Sequence, residues 1–166
     1  RANNLAMTGE QAIALEDKQQ VEVLKGLAGV TAGVMEPGGV VNFVSKRPAE
    51  VRDLALGTDS RGSRYVAVDV GGWLTPGFGL RANVAWEDMQ SHVRHADGRR
   101  NFYALAADWK IAAGTTLELD GNYQTSAQRS VSGYQLLGGV ALPQDPDPSL
   151  MLGYQPWQQP VSIRAS

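Results

Sequence analysis

The 166-residue sequence contains no cysteine, which excludes disulfide staples and thiolate metal centres. It has no excess of basic charge. A phosphate-binding surface is strongly basic, whereas the formal net charge here is −2, so nucleic acid is not an expected partner. No apolar run approaches the roughly 20 residues that a membrane-spanning helix needs. There is no initiator Met, basic n-region or apolar h-region, and the chain reads as a piece of something longer. No nucleophile, base and orienting group stand at a spacing that supports catalysis, so an enzyme is not expected. What the sequence does have is glycine, 19 residues of 166 or about 11 per cent, against a usual figure of about 7.

The chain changes character near residue 50. Before it, "VEVLKG" (Val21 to Gly26) and "GVVNFVSK" (Gly39 to Lys46) read as short Val-rich strands bounded by glycine. "TGEQAIALEDKQQ" has the form of a helix capped at Thr8 with Gln11 at the third position. "LAGVTAGVMEPG" offers a helical turn and then a Pro37-Gly38-Gly39 turn. Residues 1–50 are therefore expected to form a small α+β unit.

Beyond residue 50, five segments alternate with the period of a strand: "VRDLALGTD", "SRYVAVDVGGWL", "GLRANVAWEDMQ", "RNFYALAADWKI" and "TTLELDGNYQT". Each is about the 9 to 11 residues of a tilted membrane strand. In the last, Leu117, Leu119, Gly121 and Tyr123 share one face and Glu118, Asp120, Asn122 and Gln124 the other. In the third, Leu80, Ala82, Val84 and Trp86 oppose Arg81, Asn83, Ala85 and Glu87. Tight turns ("TPGF", "AAGT") alternate with longer polar connections ("QSHVRHADGRR" and the proline-rich segment from 126 to 166). Such an arrangement describes an antiparallel β meander of outer-membrane type. A soluble sandwich alternates in the same way, so a β-rich binding or adhesion module is the alternative reading. Strand length and the spread of Trp73, Trp109, Tyr65, Trp86 and Tyr103 towards the two strand ends favour the membrane form.

"VEVLKGLAGVTAGVMEPGGVVNFVSKRP", Val21 to Pro48, resembles the end of the plug domain of TonB-dependent outer-membrane receptors, in particular the ferric-siderophore branch. Glu22, Lys25, Gly26, Gly33, Pro37, Gly38, Gly39, Asn42, Lys46, Arg47 and Pro48 fall in register with that family's pattern. Leu27, Gly29, Thr31 and Ala32 depart from it, and a tyrosine contact near the plug apex is not carried over to Ala32. The resemblance implies that residues 1–50 are the C-terminal part of a plug. It implies that 51–166 open a 22-stranded transmembrane barrel as its first five strands, with 126–166 mostly an extracellular loop. It further implies a bacterial outer-membrane location and ligand-gated import of a ferric siderophore. The energy would come from the TonB complex, acting through a plug segment that precedes this chain. Iron would travel only as the chelate, with no resident cofactor, and the barrel's other partner would be outer-membrane lipid.

Ligand capture is expected from the outside loops. They offer guanidinium groups for charge-assisted hydrogen bonds (Arg94, Arg99, Arg100, Arg129) and aromatics for stacking (Tyr134, Tyr154, Trp157). Lys46 and Arg47 are expected either to be solvated or to pair with lumen acids such as Glu87, Glu118 or Asp120. Weaker candidates remain. His92 and His95 lack a third metal ligand in register, and "DPDPS" lacks the glycine and spacing of a calcium loop. "EPGG" is followed by no Gly-Lys-Ser/Thr and is not a phosphate cradle.

Overall fold

The computed structural model describes residues 13–25, 39–129, 147–151, 154, 156, 157 and 161–165. Among the described residues eight strands are formed: β1 (Lys18–Leu24), β2 (Val40–Ser45), β3 (Val51–Thr58), β4 (Arg64–Thr75), β5 (Phe78–Met89), β6 (Gly98–Ala112), β7 (Thr115–Gln128) and β8 (Val161–Ala165). β1 and β2 make a two-stranded antiparallel sheet, and β3 to β8 make a six-stranded sheet in sequence order. The described residues contain no helix.

Two expectations are corrected here. The described part of the chain is all-β, not α+β. Leu15 to Asp17 is bend and turn, and Lys18 to Gln20, expected to prolong a helix, is strand. There the backbone of Lys18 and Gln20 pairs opposite Ser45 and Val44, and the β-branched residues that follow suit a pleated surface. Thr8, Gln11 and the helical turn expected in 27–38 lie outside the described residues. The large sheet also has six strands, not five, because β8 pairs with the end of β7 in the register Gln124↔Ala165 to Gln128↔Val161.

The chain divides into two compact units. One comprises Arg1–Asp53, Asp69–Asn83 and Ala104–Asn122, and so holds the β1–β2 hairpin and the tight turns at 76–77 and 113–114. The other comprises Leu54–Val68, Val84–Tyr103 and Tyr123–Ser166, and holds the longer connections.

Period-two alternation decides what each face of the large sheet carries. Leu54, Leu56, Val66, Val68, Val70, Val84, Trp86, Tyr103, Leu105, Trp109, Leu117, Leu119 and Tyr123 are all exposed, forming an uncovered apolar face. The opposite parity carries the buried residues Asn83, Ala85, Phe102, Ala106, Asp108 and Gln124. Trp73 and Tyr65 belong to this second face, not to an aromatic belt. The Trp73 ring lies against Gly79 with the Lys110 ammonium 4.5 Å from its centroid, and Tyr65 packs over Gly57. Trp86, Tyr103 and Trp109 do project from the apolar face.

Candidate functional site

In the unit that holds the hairpin, the charged face of the sheet receives the tail of β2. Lys46 Nζ donates to Asp69 Oδ2 at 2.7 Å, and the Asn83 amide nitrogen donates to the same carboxylate at 3.2 Å. Asp69 also accepts two bonds from Arg81, both at 2.8 Å. Arg81 Nη1 turns back to the Arg47 carbonyl oxygen at 3.1 Å. Arg47 itself reaches β6 and β7: it is in direct contact with Asp108 and donates to the Ala107 carbonyl at 3.0 Å and to Asp120 at 3.4 Å. Pro48 follows at close range, since a Cβ added at Gly79 would lie 2.8 Å from the Pro48 Cβ. Three cations thus meet three carboxylates across four successive strands, and the cluster is neutral.

Of the two readings of Lys46 and Arg47, the structure has the paired one. Both cations are paired, and Asp120 is among the partners. Glu87 is not, because Arg100 holds it at 2.9 Å, and Glu118 is exposed. Asp69 and Asp108 were the partners missed, although their parity already put them on this face.

Upstream residues complete the seat. Lys46 N–H donates to the Asp17 carbonyl at 2.8 Å, which ties the end of β2 to the turn before β1. Asp17 is buried and paired with Lys18 at 2.7 Å, and Asn122 of β7 approaches it at 3.5 Å. Of the plug-motif residues, Gly39, Asn42, Lys46, Arg47 and Pro48 are described; Gly26, Gly33, Pro37 and Gly38 lie outside. Asn42 is buried and donates to Glu22 across the hairpin at 2.8 Å.

The other unit contains the expected ligand-capturing residues. The 90–97 connection and the 147–154 segment meet: Arg94 N–H donates to the Ser149 carbonyl at 2.8 Å, and His95 stacks on Tyr154 at 4.1 Å and 7°. His95 stands in the left-handed region with φ of 68°. Gln128 fastens the same connection by donating to the Ala96 carbonyl at 2.9 Å. The Ser149 backbone N–H holds the Asp147 carboxyl below its ordinary pKa. Arg94 and Trp157 are exposed, Trp157 by 77%. Arg99 is exposed and 3.6 Å from Asp88. Arg129 is half-buried with its Nε lacking a hydrogen-bond partner. Tyr134 lies outside the described residues. Among the described residues, no three His, Cys, Asp or Glu side chains group to hold a metal.

A long antiparallel meander with one bare apolar face, and a charged face on which the tail of a separate hairpin is ion-paired, defines a class. It is the class of sheet with an apolar outer wall and a charged inner one that outer-membrane barrels have. The comparisons give the particular family. The chain is 34% identical over 131 residues to the metal-pseudopaline receptor CntO of Pseudomonas aeruginosa, covering 74% of this chain and 18% of that receptor. It is 28% identical over 109 residues to the ferripyoverdine receptor of the same species, covering 63% of this chain and 13% of the relative. Its fold matches the ferric-catecholate import receptor Fiu of E. coli K12 with a TM-score of 0.70 at 22% identity, over 76% of this chain and 20% of the other. No family model matches the chain. The chain spans less than a fifth of the length of these curated relatives, 18% of the metal-pseudopaline receptor and 13% of the ferripyoverdine receptor. It is a homologue of, and belongs with, the TonB-dependent receptors of the bacterial outer membrane, which are receptors and not enzymes.

Proposed function

We propose that the complete protein is a TonB-energised importer of a ferric siderophore, that residues 1–50 close its plug, and that β3 to β8 open its barrel of 22 strands. The observation that carries this reading is the pair of opposed faces. An apolar face uncovered over five strands suits lipid, and the charged face holds a neutral ion-pair cluster with the tail of the hairpin. In lipid every backbone polar group has to be satisfied by the protein, which requires such a sheet to close. Iron is cargo inside its chelate, and no resident cofactor is involved.

Capture of the chelate falls to the connections at 90–97 and from 129 onward, with Arg94, Arg99, Arg129, Tyr134, Tyr154 and Trp157 as its contacts. What supports this is the convergence of the two connections at Arg94–Ser149 and His95–Tyr154. Guanidinium and aromatic groups there match an anionic chelate that carries ring systems. The relatives' names leave room for other chelated metals, since one is called a metal-pseudopaline receptor.

The test is uptake of radiolabelled ferric chelates by whole cells that carry or lack the complete receptor. Uptake should require the receptor and should stop when the proton gradient is collapsed. Arg129→Ala, Tyr154→Ala and Trp157→Ala together, at matched surface levels, should weaken chelate binding at least about tenfold, which is 1.4 kcal/mol. Uptake that survives loss of the receptor or of the gradient would refute import. Unchanged affinity in the triple variant would move the capture site to other loops.

A further inference from the structure

The tail of β2 differs in kind from the rest of its hairpin. Towards its closed end the hairpin exposes the apolar side chains of Val21, Val23, Leu24 and Val41. Its open end is held by charge. Lys46 and Arg47 engage Asp69, Asp108 and Asp120 on β4, β6 and β7, and Arg81 of β5 grips both Asp69 and the Arg47 carbonyl. With the two tail cations in place the cluster is neutral. Without them, Asp69 would keep only Arg81, and Asp108 and Asp120 would lose Arg47, leaving a net charge of −2 on a surface where Asp69 and Asp108 are mostly buried and Asp120 is partly exposed. Breaking a buried pair strands both partners, and its cost exceeds what the intact pair contributes. Ser45, the last residue of β2, is only 5% exposed beside this cluster.

We propose that Lys46 and Arg47 form a fixed anchor, staying seated on the four strands through the transport cycle, so that the rearrangement that opens a path is confined to residues before Ser45. The proposal rests on the import reading above. It adds a boundary to it: the charged end of the hairpin does not move, and the apolar end belongs to the part that does.

The experiment uses cysteine labelling in the complete receptor, since this chain has no cysteine of its own. Ser45→Cys is probed in whole cells with a small membrane-permeant maleimide, and modification of that peptide is read by mass spectrometry. The labelling rate should be the same within about twofold at rest and during chelate uptake. A second variant adds Lys46→Met, Arg47→Met, Asp108→Asn and Asp120→Asn. This removes two charges of each sign, so the Asp69–Arg81 pair stays balanced and the wall can still fold. There the labelling rate should rise about tenfold or more. A rise during uptake with the charges intact would overturn the anchor. Continued protection in the charge-free variant would also overturn it, because the charges would then not be what holds the tail. Uptake measured in the same cells keeps the two readings apart: its loss in the wild type refutes import, while the resting comparison still decides whether charge seats the tail.

Discussion

Gly39 has φ of +110°, and a Cβ built on it would lie 2.3 Å from the Leu24 carbonyl oxygen. Both facts demand glycine at the entry to β2: the backbone is in the left-handed region, and the facing strand passes too close for any side chain. Gly39→Ala should therefore destabilise the hairpin by roughly 1–3 kcal/mol. Amide hydrogen exchange along β1 and β2 would report it as faster exchange, with β5 and β6 unaffected; unaltered exchange in the hairpin would refute the assignment. The glycine motif was legible in the sequence because its pattern is local. The ion pairs of Lys46 and Arg47 were legible only in part. Alternation places Asp69, Asp108, Asp120 and Glu87 on one face, but which acid meets which cation depends on the stagger between strands. That stagger is a non-local property, and it gave Asp69 to Lys46 and Glu87 to Arg100.

At the scale of elements, β4 to β7 were readable almost to their ends because each alternates an apolar side with a polar or buried one, which writes a period of two into the sequence, although Thr115 to Tyr123 of β7 are exposed on both sides. β8 was not readable. It is five residues, "VSIRA", following a proline-rich stretch, and its place is set by pairing with the end of β7. The end of the expected helix, Leu15 to Gln20, is not helical for a similar reason: helix propensity is weak beside the ladder that Lys18 to Leu24 makes with β2. The face assignment makes a direct prediction for β6. Leu105 is 55% exposed on the apolar face, and its neighbour Ala104 points to the charged side. Asn83 is a poor control for such a test, being buried between Lys46 and Asp69. In the complete receptor, Leu105→Arg should cost about 2–4 kcal/mol near the midplane and Ala104→Arg less. Heat-modifiable migration of the assembled barrel on gels measures the difference, and equal or reversed losses would overturn the assignment of faces.

For the whole chain, the unfinished edges decide its behaviour when it is made alone. β3 pairs only with β4, and β8 covers only Gln124 to Gln128 of β7, so Thr115 to Tyr123 keeps an unpaired edge among the described residues. An open edge next to a continuous apolar face is a template for aggregation. Purified without detergent, the 166-residue chain should sediment as aggregates. In detergent micelles it should become monodisperse, because the micelle covers the face that lipid would cover. A detergent-free monomer would instead mean that the apolar face packs on the protein itself, as in a soluble sandwich. The same preparation tests where the ligand is held. The chain spans 18% of the metal-pseudopaline receptor, and under the import reading proposed above a complete capture site would draw on more loops than this chain holds. Binding of a ferric chelate by the chain in micelles should therefore be weaker than micromolar, less than about 8 kcal/mol. Micromolar binding, measured by quenching of tryptophan fluorescence, would place a sufficient site within the Arg94, His95 and Tyr154 cluster alone.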